Sequence, residues 1–431
     1  MRILLLVTRD PTGPPTGRST SIGTLVSSLL ELGHEVDIAV IADSIGDRHR
    51  WPATVTLHRI SPPPLRRWAL NVAWRATWLR LSLNECLYFS PRLVKQVRDI
   101  AARQQCGLVI ADMIRTFEVA RATGLPMILD LDDLLSLRYG RMITGGGRTE
   151  EIFGYFPVPR VLAPLLQRLA TRLLNVETFL LRRREVVAAG QVPVSCVVSP
   201  AEAALLASRV GHKIWVAPMA VRLPARTARA AEGGIQARQA AFAGGLDYGP
   251  NLDAALWFKN EVLPAWRARG LGELQLHLFG RCPDNAGRLL QDPQIVLRGF
   301  VPDLFSELVS FPVFAAPMTS GGGVKTKVVE AMAAGLPVVS TSAGVEGIDV
   351  DHGDGCLVAD DPGEFAEALH RIFADPEMGA RLAGRARHIA NRDFDPSRRT
   401  RRWGEMIAEA LACGSGCPTS TGRSGSSRRC P

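Results

Sequence analysis

The sequence predicts an α/β protein built from two doubly wound, Rossmann-like domains that face each other across a cleft. Three observations carry this. At 431 residues the chain exceeds one ordinary core and suits two domains of roughly 200 residues each. It opens on an apolar run, a loop, an amphipathic helix and a second apolar run, the βαβ unit from which parallel sheets are made. The same alternation restarts near Ala241, after a stretch rich in Ala, Arg and Gly.

Taken in order, Ile3 to Val7 reads as a buried strand and Thr8 to Thr20 as a Gly/Pro/Thr/Ser loop. Ile22, Leu25, Val26, Leu29 and Leu30 follow at helical spacing, Gly33 closes that helix, and Val36 to Ile41 is the next strand. Further strands fit Thr54 to Ile60, Leu108 to Ala111, Met127 to Leu131 and Val194 to Val198. Ser199-Pro200-Ala201-Glu202 has the form of a capping box. In the second half, strands are expected at Leu274 to Phe279, Ile295 to Leu297, Val313 to Ala316, Val338 to Ser340 and Gly355 to Val358. The resulting division is a first domain over 1–224, a linker over 225–239, a second domain over 240–398, a helix over 399–412 and a disordered tail over 413–431.

An apolar share of 46% with 22% charged residues supports buried cores and excludes a disordered chain. The formal charge of +9 favours anionic partners, among them a nucleoside diphosphate, a phosphorylated acceptor or an anionic membrane. Nucleic acid is not expected, because only net charge and the short basic tail favour it. The eight cysteines lack the paired spacing of a zinc site, so no metal is expected. No apolar run reaches about 18 residues and Ile3 to Val7 is too short for a signal sequence, which makes the cytoplasm the expected location.

The densest chemistry lies between Ala315 and Gly335. Gly321, Gly322, Gly323 and Val324 form a glycine loop after a strand, and Lys325 and Lys327 lead into a helix carrying Glu330. Glycines allow close approach, and the free amides at a helix start bind phosphate oxygens with help from the dipole and the two lysines. A plain tight turn with exposed lysines would share that pattern. An acid inside the helix, Glu330, adds an acceptor for sugar hydroxyls. Gly344-Val345-Glu346-Gly347 then forms a loop at the carboxyl end of a strand, the edge where ligands of open α/β sheets collect. A dehydrogenase is disfavoured, since no Gly-x-Gly-x-x-Gly follows a strand with an acid about twenty residues on.

These residues resemble the GT-B glycosyltransferases of family 4, especially the bacterial sugar-transferase branch. The likeness runs through Gly244 to Ala254, Leu278-Phe279-Gly280, Leu297 to Asp303 and Gly321 to Gly335, in order and at matching spacing. It implies a nucleoside diphosphate sugar as donor, no tightly bound cofactor, and transfer with retention to a glycan, lipid-linked or small-molecule acceptor. It implies that Glu330 binds the donor ribose, that Gly321 to Val324 hold the diphosphate and sugar, and that Phe300 and Val301 contact the base. Gly245, Tyr248, Asn251, Gly280 and Glu346 complete the implied donor set, and Lys325 or Lys327 neutralises the leaving diphosphate, where negative charge develops. The chain departs from the family in two places. Position 322, eight before Glu330, is glycine where many members carry a second glutamate, and Leu246, Asp247 and Tyr248 stand where an Arg and Lys pair is common. A nucleotide-sugar-binding protein without turnover is therefore the alternative.

The resemblance puts the acceptor side in the first half. Gly13 and Gly17 lie in the first loop, where such enzymes bring backbone close to sugar and phosphate; an ordinary flexible loop would look the same. Asp130, Asp132 and Asp133 stand at a strand's end, where acids bind acceptor hydroxyls or act as a base, with Asp132 the catalytic candidate and helix capping the structural alternative. Pro64 to Leu83 reads as one helix mixing Trp68, Trp74 and Trp78 with Arg66, Arg67, Arg75 and Arg80. That mixture suits either a membrane surface or an ordinary amphipathic helix with tryptophans in the core, and Leu165 to Val187, with Arg182-Arg183-Arg184, reads the same way.

Overall fold

The structure, a computed structural model, describes residues 1–12, 17–46, 51–76, 81–144, 163–217, 219–221, 238–321 and 323–414. Uniformly apolar strands demand burial on both faces, and each half of the chain meets that demand with a parallel sheet covered by helices. The first sheet holds β1 (Arg2–Val7), β2 (Glu35–Ile41), β3 (Val55–Ile60), β4 (Leu108–Asp112), β5 (Met127–Asp130), β6 (Val194–Val197) and β7 (Trp215–Val216). Their order is β3-β2-β1-β4-β5-β6-β7, with every pairing parallel. The second holds β8 (Arg238–Ala243), β9 (Leu274–Phe279), β10 (Ile295–Gly299), β11 (Val313–Ala316), β12 (Val338–Ser340), β13 (Asp351–His352) and β14 (Gly355–Val358), in the order β10-β9-β8-β11-β12-β14-β13.

In both sheets the strand order reverses beside the first strand, between β1 and β4 and between β8 and β11. The loops leaving those strands at their carboxyl ends diverge there and open a crevice. The last helix, Pro396–Gly414, does not stay with the second sheet. It lies along the Gly17–Glu31 helix and inserts Trp403, Met406, Ile407 and Ala410 into the core of the first domain. The chain makes that return beside its outward crossing, where the amide of Val221 donates to the carbonyl of Phe394 at 3.0 Å.

Most expected strands are present within a residue or two. Two expectations fail for local reasons. Ser199 caps no amide of the Pro200–Val210 helix, and the Glu202 carboxylate that would complete the box accepts from the amide of Leu134 at 3.2 Å. The single helix over Pro64 to Leu83 is instead a helix over Leu65–Asn71 running into a wider turn over Val72–Ala76, and a new helix over Leu83–Tyr88. Ser82 starts the new one: its Oγ accepts from the Glu85 amide at 3.1 Å while its own amide donates to Glu85 Oε2 at 3.0 Å. Trp68 turns inward and donates its indole N–H to the Leu83 carbonyl at 3.4 Å, whereas Trp74 is exposed; Trp78 and Arg80 lie outside the described residues. Arg184 also turns inward, pairing with Glu85 and Glu118 at 2.7 Å each. The strands β7 and β13, two residues each, are too short for any pattern to announce.

Truncating Trp403, a fully buried side chain joining the last helix to the first domain, leaves a cavity there. Trp403→Ala is expected to cost about 3–5 kcal/mol, read as a lower urea midpoint of the first domain.

Candidate active site

The glycine loop leaves β11 and reaches the Thr326–Ala334 helix through a buried lysine. Lys325 is the residue preceding that helix, and its side chain turns back into the loop. Its Nζ donates to the carbonyls of Gly321 at 3.1 Å and Gly323 at 2.7 Å, and lies 3.6 Å from the Glu346 carboxylate. An ammonium only 7% exposed requires such partners. Lys325 therefore ties the loop together and binds it to Glu346 on the neighbouring loop. Gly321 sits at φ +103, a conformation that side chains avoid. No side chain caps the helix start, which leaves its first amides directed at the loop mouth. Val324 closes one side, and Gly322 lies outside the described residues.

Lys327 points the other way. Its Nζ donates to the side-chain carbonyl of Asn251 and stands 4.9 Å from the centre of the Phe242 ring. Asn251 in turn donates to the carbonyl of Gly245 at 2.8 Å. Glycine is required where β8 and β9 end, because their backbones nearly touch. A Cβ on Gly280, at φ +131, would come within 2.5 Å of the Gly244 carbonyl oxygen. Tyr248 is exposed beside this turn, and Phe300 and Val301 leave the end of β10, the first exposed and the second half-buried. Between Phe300, Arg281, Arg298 and Pro283 lies an open hollow of about 680 Å³.

Burial shapes the charges here. It pulls Lys327 down to about 7, with neighbouring Lys325 adding to the effect and Glu330 opposing it. Burial also pushes Glu330 up to about 7, opposed by Lys327. The two groups thus change protonation near neutrality, where small electrostatic changes decide their charge.

The first domain supplies a buried guanidinium among carboxylates. Arg18, in the first turn of the Gly17–Glu31 helix, pairs with Asp112 at the end of β4, with Asp130 at the end of β5 at 3.0 Å, and with Asp132 at 2.7 Å. Asp132 has φ +62, unusual for a residue other than glycine, and its amide donates to Asp130 Oδ1 at 3.1 Å. Burial raises the Asp132 carboxyl, Arg18 opposes this, and Asp133 and Asp130 add to it. Arg399, from the returning helix, is buried beside them; burial lowers it to about 10, and its Nε and Nη1 have no hydrogen-bond partner. Asp133 pairs with Arg138 at 2.5 Å, and Arg138 lies within electrostatic reach of Tyr248 in the second domain. The domains also approach at Gly347, where a Cβ would stand 2.9 Å from Val324 Cγ2 and 3.9 Å from Ser199 Oγ.

Of the expected site residues, Gly245, Asn251, Gly280, Lys325, Lys327, Glu330 and Glu346 therefore gather at the carboxyl edge of the second sheet, with Val324 and Gly321 in the loop. Asp132 stands on the opposing edge, Gly17 opens the helix that carries Arg18, and Gly13 lies outside the described residues. Sequence reasoning missed Arg18 and Arg138. Their signal was there: an arginine directly after a glycine loop, and another six residues after Asp132. Among the described residues no group of three or more His, Cys, Asp or Glu could hold a metal ion.

Residues 237–375, which carry the loop, both lysines and Glu330, match the family described as glycosyl transferases group 1. This domain belongs to the group 1 glycosyltransferases. Solved structures extend the fold over the whole chain. A sucrose-phosphate synthase from Thermosynechococcus elongatus superposes with a TM-score of 0.68 at 16% identity, covering 96% of this chain and all of that one. HepE from Anabaena, solved in complex with UDP, gives 0.64 at 15% identity, covering 95% and 100%. TarM from S. aureus gives 0.65 at 9%, covering 94% and 98%. The fold is GT-B. An uncharacterized 44.6 kDa protein of the cps region of Klebsiella pneumoniae is 30% identical over 137 residues, which span 30% of this chain and 35% of that protein.

The contact between β8 and β9 yields a test. Gly280→Ala forces the Gly244 turn apart, and a loss of stability of about 1–3 kcal/mol is expected, measured as a lower melting temperature of the second domain.

Proposed function

We propose that the protein is a retaining glycosyltransferase that moves a sugar from a nucleoside diphosphate sugar to a glycan, lipid-linked or natural-product acceptor. The observation that carries this reading is the glycine loop and uncapped helix start beside Lys327 and Glu330, facing an acid-bearing edge across the cleft. The family match over the second domain supports it.

In this reading the amides of Gly321 to Val324 and the Thr326–Ala334 helix start take the diphosphate. Lys325 keeps the loop in shape, and Lys327 supplies the positive charge against which the leaving group departs. Glu330 accepts from the donor ribose, and the base lies along Phe300 and Val301. Arg18 holds Asp132 so that its carboxylate orients the acceptor hydroxyl. The acceptor oxygen bonds to the anomeric carbon on the face from which the diphosphate leaves, and a diphosphate oxygen takes the hydroxyl proton. The sugar keeps its configuration and the products are the glycosylated acceptor and the nucleoside diphosphate. The cps-region relative supports a polysaccharide precursor as the acceptor class.

Thermal unfolding with UDP, GDP, ADP and dTDP tests the donor half. Saturation to about a hundredfold above Kd adds about 2.7 kcal/mol, a rise of roughly 5–10 °C for a domain of this size. The rise is expected with one base preferred, lost in Glu330→Ala and weakened in Lys327→Ala; no rise with any nucleotide overturns the proposal. A nucleotide shift without sugar transfer to any glycan or lipid-linked acceptor would leave a binding protein.

The affinity should also depend on pH. Lys327 is charged below about 7 and loses that charge as pH rises, so binding the anionic diphosphate takes up a proton. The affinity is expected to fall between pH 6 and 8, approaching about tenfold per unit on the alkaline side. Isothermal titration should find this slope reduced in Lys327→Arg.

A further inference from the structure

Two exposed apolar ridges project from the first domain on either side of the Leu83–Tyr88 helix. One is on the Ala163–Gly190 helix. Its buried stripe runs through Leu174, Glu177, Leu181 and Arg184, and Glu177 anchors it by accepting from the amides of Leu83 at 2.6 Å and Asn84 at 3.0 Å. On the opposite stripe, at helical spacing, stand Arg172, Val176, Phe179 and Arg183, all exposed. Phe179 is 69% exposed. The other ridge is on the helix that starts at Leu65, where Asn71 anchors the inner side by donating to the carbonyls of Cys86 at 2.9 Å and Phe89 at 2.7 Å. Leu70 and Trp74 stand outward, Trp74 67% exposed, beside Arg66 and Arg67.

We propose that these ridges form a docking surface for an anionic lipid bilayer. Large apolar side chains flanked by arginines match the acyl and headgroup layers of a membrane. The chemistry selects anionic lipid, because the exposed positions from Arg172 to Arg183 and from Arg66 to Trp74 include four arginines and no acid, with the half-buried Arg67 beside them. None of the described helices is long and apolar enough to cross a membrane, so the contact is peripheral. The position suits a lipid-borne substrate. The helix bearing Phe179 packs on the Leu135–Thr144 helix, which carries Arg138 into the cleft, so the bilayer would lie one helix away from the acceptor edge. Docking itself is independent of the transferase reading; only its purpose rests on it.

The test is flotation of the full chain with vesicles of phosphatidylcholine alone or mixed with phosphatidylglycerol. The protein is expected to float with the mixed vesicles, less with the neutral ones, and less as salt rises. The double variant Trp74→Ser, Phe179→Ser is expected to lose about tenfold in partitioning, and Arg172→Ser, Arg183→Ser a similar factor that salt erases. Both pairs are exposed, so an unchanged melting temperature is expected and separates lost docking from lost folding. Wild-type protein that stays with the soluble fraction, or variants that float as well as wild type, overturns the proposal. A dimer in sedimentation that Phe179→Ser dissociates, with no flotation, would give the surface to a second copy of the chain instead. Nucleotide-induced stabilisation in the same preparation keeps a failure of docking distinct from a failure of the transferase reading.

Discussion

A buried ammonium needs oxygen partners on several sides, and that requirement at Lys325 organises the cleft. Its partners are two carbonyls of its own loop and a carboxylate from the loop after β12. Satisfying one charge fixes the glycine loop, and with it the direction of the amides that open the Thr326–Ala334 helix. The neighbouring lysine can then be spared from structure. Lys327 leans on Asn251 and an aromatic face, neither of which carries charge, so its proton is loosely held and responsive to an arriving anion.

The opposing edge solves a similar problem with the signs reversed. Asp112, Asp130 and Asp132 converge because two strand ends and one loop meet there, and Arg18 offsets their repulsion from the start of the first helix. Arg399 adds a second guanidinium from a helix nearly four hundred residues further along. Each edge of the cleft is thus preset electrostatically: a loosely protonated cation on one side, a clamped carboxylate on the other. Such preorganisation is what lowers the cost of charge movement during group transfer.

Much of this was legible in the sequence, for physical reasons that differ by element. Strands such as β1, β11 and β12 were readable because burial on both faces leaves a continuous apolar run. The loop from Gly321 to Lys325 was readable because glycine, helix start and lysine fall next to one another in the chain. The role of Lys325 was not, since its direction depends on carbonyls that exist only once the loop has closed. The box at Ser199 shows the reverse difficulty. Its local pattern is correct, yet the Glu202 carboxylate accepts from an amide 68 residues away in sequence, while the same pattern at Ser82 forms even though Arg184, 99 residues away, shares the Glu85 carboxylate. Phe179 and Trp74 could not be separated from Trp68 by composition, because only packing decides which face of a helix is covered.

The return of the last helix to the first domain has a consequence for synthesis. Trp403, Met406, Ile407 and Ala410 belong to the core that the Gly17–Glu31 helix covers, so the first domain stays unfinished until Ala410 has left the ribosome. The second domain, closed within its own stretch of sequence, can fold ahead of it. The order of completion is then the reverse of the order of translation. During that interval the face that the helix covers, with Trp215 on it, lacks its partner.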